Sequence, residues 1–369
     1  MLKTRDAVLV YQETQSSNKS TKTIDLDLVD PVSAIGFEFE ATNGTTSNKD
    51  NPLPFAITKL EIVDGSDVLC SMSFRQAQAL EFYKTGKQPL LREDEGPSSG
   101  QTIGCMLLFG RYLWDKDFAL DLTKYGNPQL KITWDLTNIR AVSATTAFAT
   151  GTLKISAWAK VMEGQPAPGK FFMDKEIEAW TGATSGDKRH ELPVDLPYRM
   201  LMLLCHNYFA NVDVSMTKLK LTCDTDKFIP LERYTKQFDS EMLQLFGNVI
   251  VWKRHFASHD DTIWFPVFGE PQLKMTGNVL GHSLGYGWCW SGEAQINFSN
   301  GAGSPVTDDT RFDSSIEGHS LHCSLPIPMG QMDDPDTWFD PTVYKKLELI
   351  TTEASATNNT LVAEQVRPN

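Results

Sequence analysis

None of the six cysteines, at positions 70, 105, 205, 223, 289 and 323, forms a CxxC pair. That pattern favours buried, reduced thiols over disulfides or a zinc ribbon. No apolar run reaches the roughly 18 residues of a membrane-spanning helix. The stretch MLKTRDAVLVYQETQ lacks the long apolar segment and small-residue cleavage site of a signal peptide, so a protein made and kept in a cytoplasm is expected. Positive charge is scarce and dispersed: the densest basic cluster is Lys253-Arg254, and the net charge is −13. Such a chain repels phosphate backbones, so no direct, sequence-specific nucleic-acid binding is expected. No βαβ alternation is present, which argues against a doubly wound sheet.

The 369 residues are 41% hydrophobic and 22% charged, enough for two domains with ordinary cores. Residues 1–22 are polar after a short VLVY and read as an N-terminal arm, ordered only against a partner. Period-two patterns then begin. Ile24, Leu26 and Leu28 alternate with Asp25 and Asp27, and Ile35, Phe37 and Phe39 alternate with Gly36, Glu38 and Glu40. The stretch 57–63 is a strand closed by the turn pair Asp64-Gly65. One helix follows, capped by Ser73, with Phe74, Ala77, Leu80 and Phe82-Tyr83 on one side and Gly86 as its stop. Strands are expected at 104–110, 128–136 and 151–161, and EGQPAPGK marks a linker within 163–172.

The order then recurs. LPVDL (192–196) answers IDLDL (24–28), RMLMLLCHNYF (199–209) answers SAIGFEFEAT, and TKLKLTCD (217–224) answers TKLEIVDG (58–65). A second helix carries Tyr234, Phe238, Met242 and Leu245-Phe246 and ends at Gly247. Gly330, Tyr344 and LELIT then match Gly110, Tyr125 and LKITW, and NTLVAEQV matches GTLKISAWAKV. Collinear recurrence indicates two copies of one β-rich unit. The copies differ between helix and next matched strand: Gly86 to Gly104 in the first, Gly247 to about Ser320 in the second. The longer stretch holds IWFPVF, GYGWCW and AQINF and reads as a β-rich insertion at about 250–318. The fold class is therefore all-β: two tandem eight-stranded jelly rolls, each with a short helix, at 23–162 and 173–369.

Two β units, a short linker, a helix in each and no catalytic signature resemble the double jelly-roll major capsid proteins of tailless bacteriophages and related DNA viruses. The resemblance covers nearly the whole chain and is one of architecture, so no site residue carries over. It implies a homotrimer forming a pseudo-hexameric capsomer in an icosahedral shell, with neighbouring capsomers and other capsid proteins (penton and minor proteins) as partners. It also implies a place in the virion after assembly in the host cytoplasm, and an inner membrane beneath the shell in many such viruses. The alternative is a two-domain β-sandwich for carbohydrate binding or spike-like adhesion, with GYGWCW as its sugar face.

Several motifs suggest chemistry and have plainer readings. GHSLG (281–285) matches the nucleophile elbow, with Ser283, His319 or His322, and Asp308 as a triad. The elbow needs a strand-to-helix turn, and GYGWCW is a poor helix start, so a Gly-rich turn is expected. His255 and His259, followed by Asp260 and Asp261, lack the glutamate of a zinc helix; Trp252, Phe256 and Trp264 around them suggest strand or loop, and a solvated loop is expected rather than a metal site. His319, His322 and Cys323 lie in HSLHCSLPI, read as a strand with Cys323 buried. DDPD (333–336) lacks the glycine and terminal glutamate of a calcium loop and reads as an acidic turn. No catalytic, cofactor or metal site is expected, nor an enzyme.

Overall fold

The computed structural model describes residues 3–49, 51–137, 148–205, 210–257, 261–269, 272–276, 287–290, 292–297 and 310–369. The first half contains β1 (Lys3–Gln15), β2 (Lys19–Asp25), β3 (Val32–Thr42), α1 (Leu53–Ala56), β4 (Ile57–Asp64) and β5 (Asp67–Met72), followed by α2 (Phe74–Thr85), β6 (Leu91–Asp94), β7 (Gly100–Leu108), β8 (Pro128–Asp135) and β9 (Leu153–Glu163). The second half repeats the series as β10 (Lys170–Thr181), β11 (Gly186–Leu192), β12 (Tyr198–Cys205), α3 (Val212–Ser215), β13 (Met216–Cys223), β14 (Phe228–Tyr234) and α4 (Thr235–Phe246). An excursion of eight strands follows: β15 (Val249–Ala257), β16 (Asp261–Trp264), β17 (Val267–Phe268), β18 (Gln272–Thr276), β19 (Gly287–Trp290), β20 (Glu293–Ile296), β21 (Thr310–Gly318) and β22 (Ser320–Leu321). The series closes with β23 (Ser324–Pro328), β24 (Leu347–Glu353) and β25 (Asn358–Pro368).

Strand order establishes the duplication. In the first half, β1-β9-β3-β7 form one sheet and β2-β8-β4-β5 the other. In the second, β10-β25-β12-β23 and β11-β24-β13-β14 repeat that order position by position. Each pair of four-stranded sheets is a jelly roll. The two quoted octapeptides occupy the same place: β4 lies between β8 and β5, and β13 lies between β24 and β14. Alternation is regular where one face is buried. Leu130, Ile132 and Trp134 of β8 point into the core, while Gln129, Lys131 and Thr133 do not. β12 is buried along its whole length and is correspondingly an almost unbroken apolar run.

Residues 3–15 and 19–25 are not an arm. They are β1 and β2, the first two strands of the first roll, paired with β9 and β8 along their lengths. β1 reads as a tail because it is an edge strand with most side chains exposed, so it lacks the alternation of a half-buried strand. The pattern at Ile24–Leu28 and LPVDL marks the ends of β2 and β11 rather than strands of their own. HSLHCSLPI is likewise not continuous: His322 and Cys323 have φ of 57° and 56°, making a tight turn between β22 and β23.

The helix signals were sound for α2. Ser73 accepts from the Gln76 backbone N–H, Gln76 Oε1 accepts from the Ser73 N–H at 2.6 Å, and Gly86 ends the helix at φ 64°. Its burial differs from the expected single side. Gln76, Gln78 and Ala79 are buried as well as the apolar set, because a second roll covers the far face.

The excursion after α4 does not stand apart from the first roll. β15 pairs in parallel with β6 through Lys253↔Glu93 and Arg254↔Asp94, so β15, β21 and β18 extend the first roll's sheet to eight strands. The other layer is joined too: β10 bridges β5 in parallel at Lys175↔Ser71, making a second eight-stranded sheet. One apolar core runs through both rolls.

Gly36 on β3 is paired with Trp158, whose indole occupies the space a side chain at position 36 would need. Gly36→Val is expected to destabilise the fold by about 1–3 kcal/mol through overpacking, measured by chemical denaturation. Adding Trp158→Ala to that variant should return part of the loss.

Candidate functional site

The residues that sequence motifs single out are not gathered into a reactive group. Ser283, Asp308, His259 and Asp260 lie outside the described residues. His322 is fully buried, its Nε2 2.8 Å from the Gln78 side-chain oxygen, and burial holds its imidazole well below the usual histidine range. An amide in that position orients the ring without supplying a triad carboxylate. His319 Nε2 is 3.9 Å from Asp239, too far for a hydrogen bond. Cys323 is buried and donates to the Ala210 carbonyl at 3.5 Å. Asp261 is paired with Lys49 at 2.6 Å. Asp334 of the acidic turn caps a short 3-10 helix by accepting from the Asp336 N–H. Among the described residues, no group of three or more histidine, cysteine or acidic side chains is placed to hold a metal.

The dense chemistry lies instead where the two rolls meet. Lys84, near the end of α2, reaches across to the second roll with its side chain 1% exposed. Its Nζ is 2.7 Å from Asp174 Oδ2 on β10 and 2.5 Å from Glu364 Oε2 on β25. Arg199 on β12 completes the group at 2.5 Å from Glu364 Oε1, its guanidinium stacked over Phe172. Burial pushes both carboxyls up, but their partners differ. Glu364 touches both cations, which hold it down at about 2. Asp174 has only Lys84 and shares its site with a like charge, and it is pushed up to about 7. Asp174 Oδ1 has no hydrogen-bond partner, so Lys84 is the one cation that offsets the burial of this carboxyl.

A second junction mirrors the first with the donors exchanged. Lys253 of β15 sits between Glu93 and Glu95 of the first roll at 3.2 and 2.8 Å, and it also donates to the Trp264 carbonyl at 3.0 Å. His255 Nδ1 is 3.4 Å from Glu95, and its Nε2 is bonded to Ser314. Burial raises Glu95, but Lys253 and His255 outweigh it and hold the carboxyl at about 2. Burial likewise keeps His255 below its ordinary value. In each junction a lysine of one roll is clasped by two carboxylates of the other.

Around these clusters α2 acts as the shared wall. Gln76 donates to Glu176 at 2.6 Å and to Thr360 at 2.9 Å, and the Tyr83 hydroxyl lies 2.8 Å from Ser324 Oγ. Tyr83 also meets Phe246 of α4 edge-on at 5.0 Å. Lys253-Arg254, the densest basic pair in the sequence, is divided by strand alternation. Lys253 is buried as described, and Arg254 faces outward, paired with Asp313 at 2.7 Å. Apart from Lys253, Arg254 and His255, none of these charges belongs to a motif of the sequence. The available signal was a charge inside an apolar run: Arg199 in YRMLMLLC and Glu364 in LVAEQV.

No protein-family profile matches the chain, and none of the curated proteins does. Solved structures do. The STIV MCP aligns over 99% of this chain and 96% of its own, with a TM-score of 0.60 and 10% identity. The chain has the double jelly-roll fold. The PBCV-1 virus capsid protein aligns over 99% and 94% with a TM-score of 0.59 at 10% identity. The major capsid protein P2 of bacteriophage PM2 aligns over 100% and 98% with a TM-score of 0.55 at 10% identity. The double jelly roll thus holds from end to end at an identity where no residue-level correspondence carries over.

In this double jelly roll, removing Lys84 would leave the buried Asp174 without its cation and Glu364 with Arg199 alone, so Lys84→Met should cost about 3–5 kcal/mol. Asp174 binds its proton more tightly in the fold than in the unfolded chain. Its contribution is therefore full below the ordinary aspartate value and is lost as pH rises toward 7. Glu364 runs the opposite way, losing its contribution as pH falls toward about 2. Asp174→Asn removes only the first dependence. Denaturation at pH 5 and pH 8 should show this variant gaining on wild type as pH rises, by about 1–3 kcal/mol.

Proposed function

We propose that this chain is a major capsid protein, a non-enzymatic building block whose trimers form pseudo-hexameric capsomers of an icosahedral shell. The observation that carries this reading is the repeated strand order, two complete jelly rolls in one chain, in an arrangement that spans 94–98% of the capsid proteins it is similar to. Within the chain, we divide the rolls at 163–172, where β9 ends and β10 begins. A block of two like units has six-fold character when three copies close on themselves, and six-fold blocks tile a shell. The chemistry supports the same reading. The buried charges cross-link the rolls, and the cysteines that the fold buries have thiols raised by burial, the state of inert packing groups. The proposal extends to location in the virion and to contact with neighbouring capsomers and other shell proteins.

One observation favours the second reading, a sugar-binding module. Trp252 on β15 is 57% exposed at a cleft of about 520 Å³ that also receives Arg92, Asp94 and Thr102. An exposed indole among polar side chains is a stacking platform of the kind sugars use, and the volume falls in the roughly 300–1,000 Å³ range of small-molecule sites.

Light scattering on the purified protein is expected to give the mass of three chains, and negative-stain micrographs six-sided particles or closed shells. A single chain at every concentration would sink the capsid reading. A glycan array separates the alternative: saturable binding abolished by Trp252→Ala, in a protein that remains monomeric, would establish the sugar-binding module in its place.

A further inference from the structure

The clasp around Lys84 has a feature that an ion pair does not require. Asp174 and Glu364 are cross-strand partners on β10 and β25, so two carboxyls stand side by side on one face of the sheet. Like charges directly opposite on paired strands repel, and here no water screens them: the side chains of Lys84, Asp174 and Glu364 are each 1% exposed or less. Phe172, on the same face of β10, packs with Phe118 and Trp338, and its ring centre lies 5.4 Å from Lys84 Nζ. The three charged groups are held differently. Glu364 meets Lys84 with one oxygen and Arg199 with the other, at 2.5 Å each. Asp174 meets Lys84 through Oδ2 at 2.7 Å, and its Oδ1 has no hydrogen-bond partner among the described residues. Lys84 Nζ is oriented further by the Leu108 carbonyl at 3.2 Å. The carboxyl carbon of Asp174 lies one bond beyond Oδ2, so it is within about 4 Å of Nζ, against the roughly 3–3.5 Å of a near-attack pair.

We propose that Lys84 and Asp174 react in the folded chain to form an isopeptide bond, a covalent link between the two rolls, with Glu364 carrying the proton. A proton first passes from the Lys84 ammonium to Asp174, which leaves an amine beside a carboxylic acid. The amine lone pair attacks the Asp174 carboxyl carbon and a C–N bond forms. Glu364 Oε2 takes one proton from that nitrogen and returns it to the departing hydroxyl. The C–O bond breaks, and one water leaves. An amide replaces one ammonium and one carboxylate, and Glu364 ends ionised as it began, still paired with Arg199.

The environment suits each role. Burial opposes the charge on Lys84, but the two carboxylates outweigh it, so the resting side chain is an ammonium and the amine is its rarer form. Burial pushes Asp174 up to about 7, which makes it the carboxyl that receives the proton. Burial raises Glu364 too, but Arg199 and Lys84 outweigh it and hold it at about 2, ionised as a proton carrier must be. Loss of a buried ion pair removes two desolvated charges and favours the amide. The junction at Lys253 lacks these conditions. Lys253 also donates to the Trp264 carbonyl, and its nearer carboxyl, Glu95, is raised by burial but held at about 2 by Lys253 and His255, so it stays ionised. One bond is expected, not two. The pH dependence of Asp174 belongs to the open chain; once the bond closes, neither Asp174 nor Lys84 titrates.

The test is intact-mass spectrometry of the purified full chain, stored folded at neutral pH and then denatured. A mass one water below that of the sequence is expected, and proteolysis should release a branched peptide joining the segments around Lys84 and Asp174. The branched peptide separates this link from water loss elsewhere. Lys84→Arg, which keeps the charge, should retain the full mass. Glu364→Gln, which keeps the shape, should slow closure at least about a hundredfold. A folded wild type that keeps its full mass through prolonged incubation, or loses water without the branched peptide, overturns the proposal, and this measurement decides even where a variant does not fold. Closure of Glu364→Gln at the wild-type rate overturns the role of Glu364. The link joins parts of one chain, so it holds or fails independently of the capsid reading.

Discussion

The clasp of Lys84 by Asp174 and Glu364 is the contact on which the rest of the structure depends. It lies where α2 of the first roll is pressed against β10 and β25 of the second. A charge of that size cannot leave water without partners, and its partners sit on the other roll, so neither roll is complete alone. Burial of a lysine is costly compared with an apolar residue of the same shape. What it supplies is orientation: only one placement of the second roll satisfies both carboxylates and the adjoining Arg199. The reciprocal group around Lys253 applies the same constraint from the other side, and the parallel bridges β5–β10 and β6–β15 then continue the sheets through both junctions.

This arrangement explains what the sequence could and could not disclose. The duplication was readable because both copies keep one order of elements. Recurring strings such as TKLEIVDG and TKLKLTCD sit at the same strand position, where interior sheet packing constrains them. Ser73 and Gly86 disclosed the ends of α2 because caps are local. Strand β1 was not readable, because an edge strand has neither a buried face along its length nor a neighbour on both sides. The two faces of α2 were also hidden, since a helix covered all round carries no amphipathic stripe. The junction charges were invisible for a related reason: Lys84 and Glu364 lie 280 positions apart, as the bounds of α2 and β25 place them, and only the fold makes them neighbours. The insertion was visible as length and aromatic content, but its continuity with β6 of the first roll was not, because parallel pairing leaves no local turn signal.

Two rolls with one topology face a further constraint. If the copies were identical, every edge would be equally adhesive and the chain would have no defined ends. The structure separates the roles through burial. β5 and β10 are covered within the chain and carry buried side chains, while β14 and β1 occupy the same positions and remain open. The helices repeat the distinction, α2 enclosed and α4 one-sided. A sequence can therefore hold a fold twice and still mark one contact as internal, by placing its buried ion pairs there and leaving exposed apolar and charged side chains on the outer edges. Buried ion pairs suit a junction that forms once during folding, because they tolerate no misplacement. Charged clasps between the rolls and exposed side chains at their outer edges are then two parts of one arrangement, in which burial of charge fixes how the two copies of the fold are placed.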